Sequence, residues 1–240
     1  MIDVHLHILP GVDDGPETLE EALVLAQALV QNGVYAAIAT PHYNDEFPRR
    51  SAAEIQGRVN DLQQELNRRY IPLRLFAGHE VLIKPGLIED IQTGRLATLN
   101  HSHYLLLELW NHAWLPETER TIFELRAGGI VPILAHPERY RVFQQEPQRL
   151  AALLEQGVLA QLTASSLLGV QGKTARRSAQ QLLKKGLIHC IASDAHGLGK
   201  RPPVISESLH EAVKLVGREK VYQAVEYCPM AIINDRPYRG

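Results

Sequence analysis

Nine residues of this 240-residue chain have the types and spacing that metal chemistry requires: His5, His7, Asp14, His42, Glu80, Glu108, His136, Asp194 and His196. Imidazole nitrogens and carboxylate oxygens without a thiolate suit manganese, iron or zinc, and affinity order alone does not choose among them. Nine donors are too many for one ion and suit two or three. Cations held in such a set lower the pKa of bound water and polarise phosphoryl oxygens, which is the chemistry of phosphoester hydrolysis.

Taken singly, each element has a plainer reading. His5 and His7 alternate on a strand and so share a face. Asp13-Asp14-Gly15-Pro16 reads as a turn and helix cap, and Ser193-Asp194-Ala195-His196 as an Asx turn. His42 beside Pro41 and His136 beside Pro137 fit loops, while Glu80 and Glu108 fit buried, paired carboxylates. The joint pattern carries the metal reading. Burying so many ionisable groups together is costly unless cations neutralise the acids and take up the imidazole lone pairs.

The elements that position these residues follow from periodicity. Short β-branched runs alternate with longer amphipathic stretches, the pattern of βα units around a parallel sheet. Seven strands are expected, at Ile2 to Leu6, Val34 to Ala39, Leu73 to Ala77, Tyr104 to Leu109, Val131 to Leu134, Leu159 to Leu162 and Ile188 to Ala192. Helices are expected at Leu19 to Val30, with Thr18 and Glu21 forming a capping box, and at Ala52 to Tyr70, Pro116 to Ala127, Pro147 to Gln156, Lys173 to Lys185 and Ser206 to Val216. Seven such units suggest a closed or nearly closed β/α barrel, with a doubly wound sheet as the alternative. All nine candidates then fall at or just after carboxyl ends of strands, which meet at one face of a barrel.

A formal charge of −2 and scattered basic doublets argue against a nucleic-acid surface. Cys190 and Cys228 are too few for a disulfide framework and fit buried thiols in a reducing cytoplasm. The chain opens on a strand-like segment, and no apolar run approaches the length of a membrane span, so a cytoplasmic protein without membrane insertion is expected. His101 and His103 precede their strand and belong at the opposite rim. Gly169 to Thr174 resembles a phosphate loop but lacks its first glycine. No serine-hydrolase elbow or cysteine-phosphatase loop occurs. Trp110, Trp114 and Tyr140 suit either an entrance or ordinary aromatic packing.

These residues stand within motifs that closely resemble the PHP (polymerase and histidinol phosphatase) superfamily, and within it the bacterial tyrosine-protein phosphatases of capsular and extracellular polysaccharide synthesis, the CpsB/CapC type. The resemblance runs through Met1-Ile2-Asp3-Val4-His5-Leu6-His7, Val12-Asp13-Asp14-Gly15, Thr40-Pro41-His42, Gly78-His79-Glu80, Leu107-Glu108, Ala135-His136-Pro137-Glu138-Arg139-Tyr140, Ala192-Ser193-Asp194-Ala195-His196 and Arg201-Pro202-Pro203. It implies one domain over residues 1–240, a distorted seven-stranded β/α barrel similar to a TIM barrel, and three ions, usually manganese. One ion would be held by His5, His7, Glu80 and Asp194, a second by Glu80, Glu108 and His136, and a third by Asp14, His42 and His196. Arg139 and Arg201 look like the family's phosphate-orienting pair, acting with a metal-activated hydroxide; planar guanidinium donors suit that task. The implied substrate is phosphotyrosine on a protein, the tail of a bacterial tyrosine kinase. The ligands alone also fit a small-molecule phosphatase acting on a compound such as histidinol phosphate, and a silent regulatory protein would keep the fold without the chemistry. A homo-oligomer is left open.

Overall fold

The structure, a computed structural model, describes residues 1–110, 114–199 and 201–238. Its strands are β1 (Ile2–Leu6), β2 (Ala36–Ala39), β3 (His42–Tyr43), β4 (Arg74–Ala77), β5 (Glu80–Leu82), β6 (Tyr104–Glu108), β7 (Val131–Ala135), β8 (Leu159–Thr163) and β9 (Cys190–Ala192). They form two parallel sheets, one in the order β1-β2-β4 and one in the order β3-β5-β6-β7-β8-β9. Residues along β1, β2 and β8 are buried without alternation, as in parallel strands covered on both faces.

Among the described residues, nine strand segments thus stand where seven strands were expected. The difference lies at two breaks. Thr40-Pro41 separates β2 from β3, where Pro41 has no N–H to give a ladder. Gly78-His79 separates β4 from β5, and a Cβ on Gly78 would lie only 2.8 Å from Leu99 Cδ2 and 3.1 Å from Ile38 Cγ2. Hydrogen bonds continue across both breaks, from Gly78 N to Ala39 O at 3.0 Å and from Glu80 N to Pro41 O at 3.1 Å. Once past them, His42 pairs in register with Glu80. At the far edge, Asp194 N donates to His5 O at 2.9 Å and His7 N to Ala195 O at 3.0 Å, next to a parallel bridge between Leu6 and Ala195.

Helices α1 (Leu19–Gln31) and α2 (Ala52–Arg68) both begin with reciprocal capping boxes, Thr18 with Glu21 and Ser51 with Glu54. The first was expected and the second was not. After α3 (Leu87–Gln92) come α4 (Pro116–Ala127), α5 (Arg141–Gln145), α6 (Pro147–Glu155), α7 (Lys173–Lys184), α8 (Ile205–Val216), α9 (Arg218–Tyr222) and α10 (Cys228–Ile233). The long helices agree with the periodicity to within about two residues. Helices α3, α5, α9 and α10 escaped it because five or six residues are too few to show an amphipathic period.

Leu25, Ala26 and Leu29 of α1 pack with Ile55, Val59, Leu62 and Leu66 of α2 in one apolar cluster against the β1-β2-β4 sheet. A second cluster centres on β6 with Ile122, Leu125 and Phe143. A third, built from Ile2, Val4, Ile38, Leu106 and Ile133, lies among the strands and receives Cys190, Cys228 and Ile232. The two cysteines are buried free thiols with their sulfurs 2.7 Å apart. His103 pairs with Asp235 at 2.8 Å and His101 contacts Gln56, both before β6 begins and away from the nine candidates. The segment after Pro229 is anchored there, with Asn100 Nδ2 donating to Ile233 O. No described helix is long and apolar enough to cross a membrane.

Candidate metal centre

All nine candidate ligands come together at the carboxyl ends of the strands. His5 sits on β1 and His7 one residue beyond it, their side chains on one face with Nε2 atoms 3.2 Å apart. Glu80, at the start of β5, lies at the middle. Its Oε2 is 3.3 Å from His5 Nε2, 3.3 Å from His7 Nε2 and 3.0 Å from His42 Nδ1, and its Oε1 is 2.9 Å from His136 Nε2. Glu108 ends β6, 3.8 Å from His42 and 3.9 Å from His136. Asp194 approaches His5 at 3.4 Å, while Asp14 approaches His196 at 3.1 Å and His42 at 3.5 Å.

The donor chemistry of this cluster fits cations. Asp13 Oδ2 accepts from His7 Nδ1 at 2.7 Å, and Gln161 Oε1 accepts from His5 Nδ1 at 2.8 Å. In their neutral forms, with protons held on Nδ1, both imidazoles would turn Nε2 lone pairs toward each other and toward the Glu80 carboxylate. Lone pairs facing lone pairs in a buried site are repulsive unless a positive charge lies between them. His136 Nδ1 and Asp194 Oδ1 are likewise buried without a hydrogen-bond partner, and His42 Nδ1 faces Glu80 Oε2 at 3.0 Å without the angles of a hydrogen bond. Three groups bring single donor atoms within 4.8 Å of one another: His7, Asp14, His42 and His196; His5, His7 and Glu80; and His42, Glu80 and Glu108.

These groupings overlap the expected ones without coinciding. His7 also joins the Asp14 group, and His42 stands beside Glu80 and Glu108 where His136 was expected. His136 instead contacts Glu80 directly. Its φ of 37° and the φ of 52° at Asp194 are left-handed, a conformation that costs a non-glycine residue about 1 to 3 kcal/mol and persists where surrounding contacts demand it. In both residues it turns the chain sharply at a strand end.

Electrostatics mark the same shortage of positive charge. Burial pushes Glu108 up to about 7, aided by the nearby Glu80 carboxylate. Burial opposes the charged form of His42, yet Glu80 and Asp14 hold it up at about 11. His7 is held at about 9, with burial opposing and Asp13 prevailing. His136 is pushed down to about 4 by burial and by Arg139. Glu80 and Asp194 stay well below the usual carboxylate range despite burial, Glu80 through His5 and His42, and Asp194 through Arg139 and His5.

Arg139 follows His136 on a short helical turn, bonding to Asp194 Oδ2 and donating to Thr163 Oγ1 at 3.0 Å. Arg201 donates to Asp14 Oδ2 at 3.1 Å and lies 3.5 Å from Asp194 Oδ1. Both line a cleft of about 330 Å³ whose floor is Glu80, Glu108 and His136 and whose walls include Asp14, His42, Phe47 and Trp110. Of the three aromatics that suited either an entrance or ordinary packing, only Trp110 lines this cleft. Tyr140 is buried, its hydroxyl accepting from Leu109 N at 2.9 Å, and Trp114 bonds to Glu119 in a neighbouring groove.

Asp13, Gln161, Thr163 and Phe47 were not anticipated. Asp13 read as turn chemistry, although an acid six residues after a strand histidine was a usable signal. Gln161 is an ordinary strand residue in sequence, and only the β8-β9 pairing reveals its position. Asp13 has a further task, accepting from His42 N at 3.1 Å. Gly15 keeps that turn closed, since a Cβ there would lie 2.7 Å from His7 O.

Parallel α/β architecture with imidazoles and carboxylates gathered at its carboxyl edge defines an α/β protein with a candidate polynuclear metal centre. The model of the CpsB/CapC capsular polysaccharide synthesis family matches residues 1–234, and the chain belongs to that family. It is 33% identical to the tyrosine-protein phosphatase YwqE of Bacillus subtilis, covering 100% of this chain and 94% of that protein. It is 28% identical to the tyrosine-protein phosphatase CpsB of Streptococcus agalactiae, covering 93% of this chain and 94% of that one. A crystal structure from work on Bacillus subtilis YwqE and Streptococcus pneumoniae CpsB, described as unique metal-dependent tyrosine phosphatases, shares the fold with a TM-score of 0.95 at 31% identity, over 100% of this chain and 96% of the other.

Proposed function

We propose that this chain is a metal-dependent phosphomonoester hydrolase of the cytoplasm that removes phosphate from protein phosphotyrosine, acting on the tail of a bacterial tyrosine kinase that controls polysaccharide synthesis or export. The two sheets are read as arcs of one distorted barrel forming a single domain over residues 1–240. The observation that carries the reading is the convergence of the buried Nε2 atoms of His5 and His7 on the central Glu80 carboxylate. The family's named tyrosine phosphatases supply the substrate class.

His5, His7, Glu80 and Asp194 would hold one ion, Glu80, Glu108 and His136 a second, and Asp14, His42 and His196 a third, with manganese proposed for all three. Bound cations supply Lewis acidity, lowering the pKa of water and offsetting charge on phosphoryl oxygens. Arg139 and Arg201 orient the phosphate, each planar fork presenting donors to non-bridging oxygens. Asp13 and Gln161 hold the His7 and His5 rings so that Nε2 points inward. A phenolate leaving group, with a pKa of about 10, needs less protonation than an alkoxide, and no side chain of the cleft is assigned as general acid.

Turnover of a phosphotyrosyl peptide by the manganese-loaded protein, compared with histidinol phosphate, tests this reading. A strong preference for the peptide is expected. Preference for histidinol phosphate, or no hydrolysis of either ester, would overturn it.

A further inference from the structure

Above the charged floor of the cleft stand two aromatic side chains that the phosphate chemistry does not use. Phe47 stacks on His42, with ring centroids 5.6 Å apart and planes 4° from parallel. Trp110 follows Glu108 by two residues at the end of β6, and its indole Nε1 donates to Ile83 O at 3.3 Å. That bond fixes the indole although the residue is 50% exposed. A large apolar surface left open beside a cluster of buried acids marks a contact site, because exposed tryptophan at a cleft mouth gains by covering a partner's apolar face. Leu82 and Leu109 add apolar lining to the same cleft.

We propose that Phe47 and Trp110 form a ring subsite that holds the phenyl group of an aryl phosphate while its phosphate lies between Arg139 and Arg201. The subsite deepens the phosphatase reading and rests on it for the placing of the phosphate. Phe47 approaches from the β3 side and Trp110 from the β6 side, with β5 and its Glu80 between them. An alkyl phosphate offers nothing to either ring. An aryl phosphate gains two aromatic contacts, each pair contributing about two- to tenfold in binding.

The test uses two phosphonates that cannot be hydrolysed, phenylphosphonate and methylphosphonate, titrated into the full-length, manganese-loaded protein by calorimetry. Phenylphosphonate should bind the native protein at least about fivefold more tightly. Trp110→Ala and Phe47→Ala should each shrink that preference, and the double variant should abolish it, whereas Trp110→Phe should keep most of it. A preference unchanged in the double variant, or none in the native protein, overturns the subsite. Both results stand apart from turnover: a protein that hydrolyses phosphotyrosine without a phenyl preference loses only the subsite. One that shows the preference but no hydrolysis loses the phosphatase reading and keeps the subsite.

Discussion

Asp13 Oδ2 accepts from His7 Nδ1 at 2.7 Å and from the backbone N–H of His42 at 3.1 Å, so one carboxylate orients a proposed ligand and holds the segment that carries another. Groups that orient metal ligands in this way usually contribute about 10- to 100-fold in metal affinity. Asp13→Ala should therefore weaken manganese binding by that factor, measured by titration against a metal-sensitive dye. Unchanged affinity would show that His7 needs no such support.

His136→Ala should reduce phosphotyrosyl peptide turnover to background while circular dichroism stays native. The imidazole touches Glu80 at the polar floor of the cleft, and no large apolar group is lost with it. Activity near the native level would place the second ion elsewhere.

Arg139→Ala should lower kcat/KM about a hundredfold, the usual loss when one preorganised donor to a developing charge is removed. Metal content by elemental analysis should remain that of the native protein. Arg139→Lys should restore little, because an ammonium lacks the planar fork. Loss of metal in the alanine variant would instead assign the Asp194 contact a structural role.

Chelation should abolish turnover and lower the melting temperature, with manganese restoring both. A ligand at a thousand times its dissociation constant stabilises by about 4 kcal/mol. For a chain of this size that corresponds to a shift on the order of 10 °C. The sign follows from the buried carboxylates Glu80 and Asp194, whose charges are left less compensated. Full-rate hydrolysis in excess chelator would remove the basis of the proposed chemistry.

The ligand positions were legible because a strand's period and its carboxyl end are properties of short sequence runs. His5 and His7 declared themselves by alternation, Glu108 by ending an apolar run of leucines, and His136 by following a run that holds Val131 and Ile133. The two breaks were less visible: Pro41 and Gly78 look like ordinary turn residues, and only the packing of Gly78 against Leu99 and Ile38 accounts for the break between β4 and β5. Partners joined across the fold were hidden altogether, since nothing near Gln161 in sequence refers to His5, 156 residues away. The helices were read well where they span three turns or more. Their short companions depend on tertiary contacts that no local pattern records.

The hydrogen bond from Ser193 N to Asp3 Oδ1 closes a separation of 190 residues. The first and last members of the proposed ligand set are thus made at opposite ends of synthesis. A ribosome must release nearly the whole polypeptide before His5 can meet Asp194, so an early fragment would present His5, His7 and His42 without the Asp194 and His196 that complete the set. Loading of the proposed centre with metal would then be a late event in the life of the molecule, governed by completion of the chain more than by how soon the first histidines emerge.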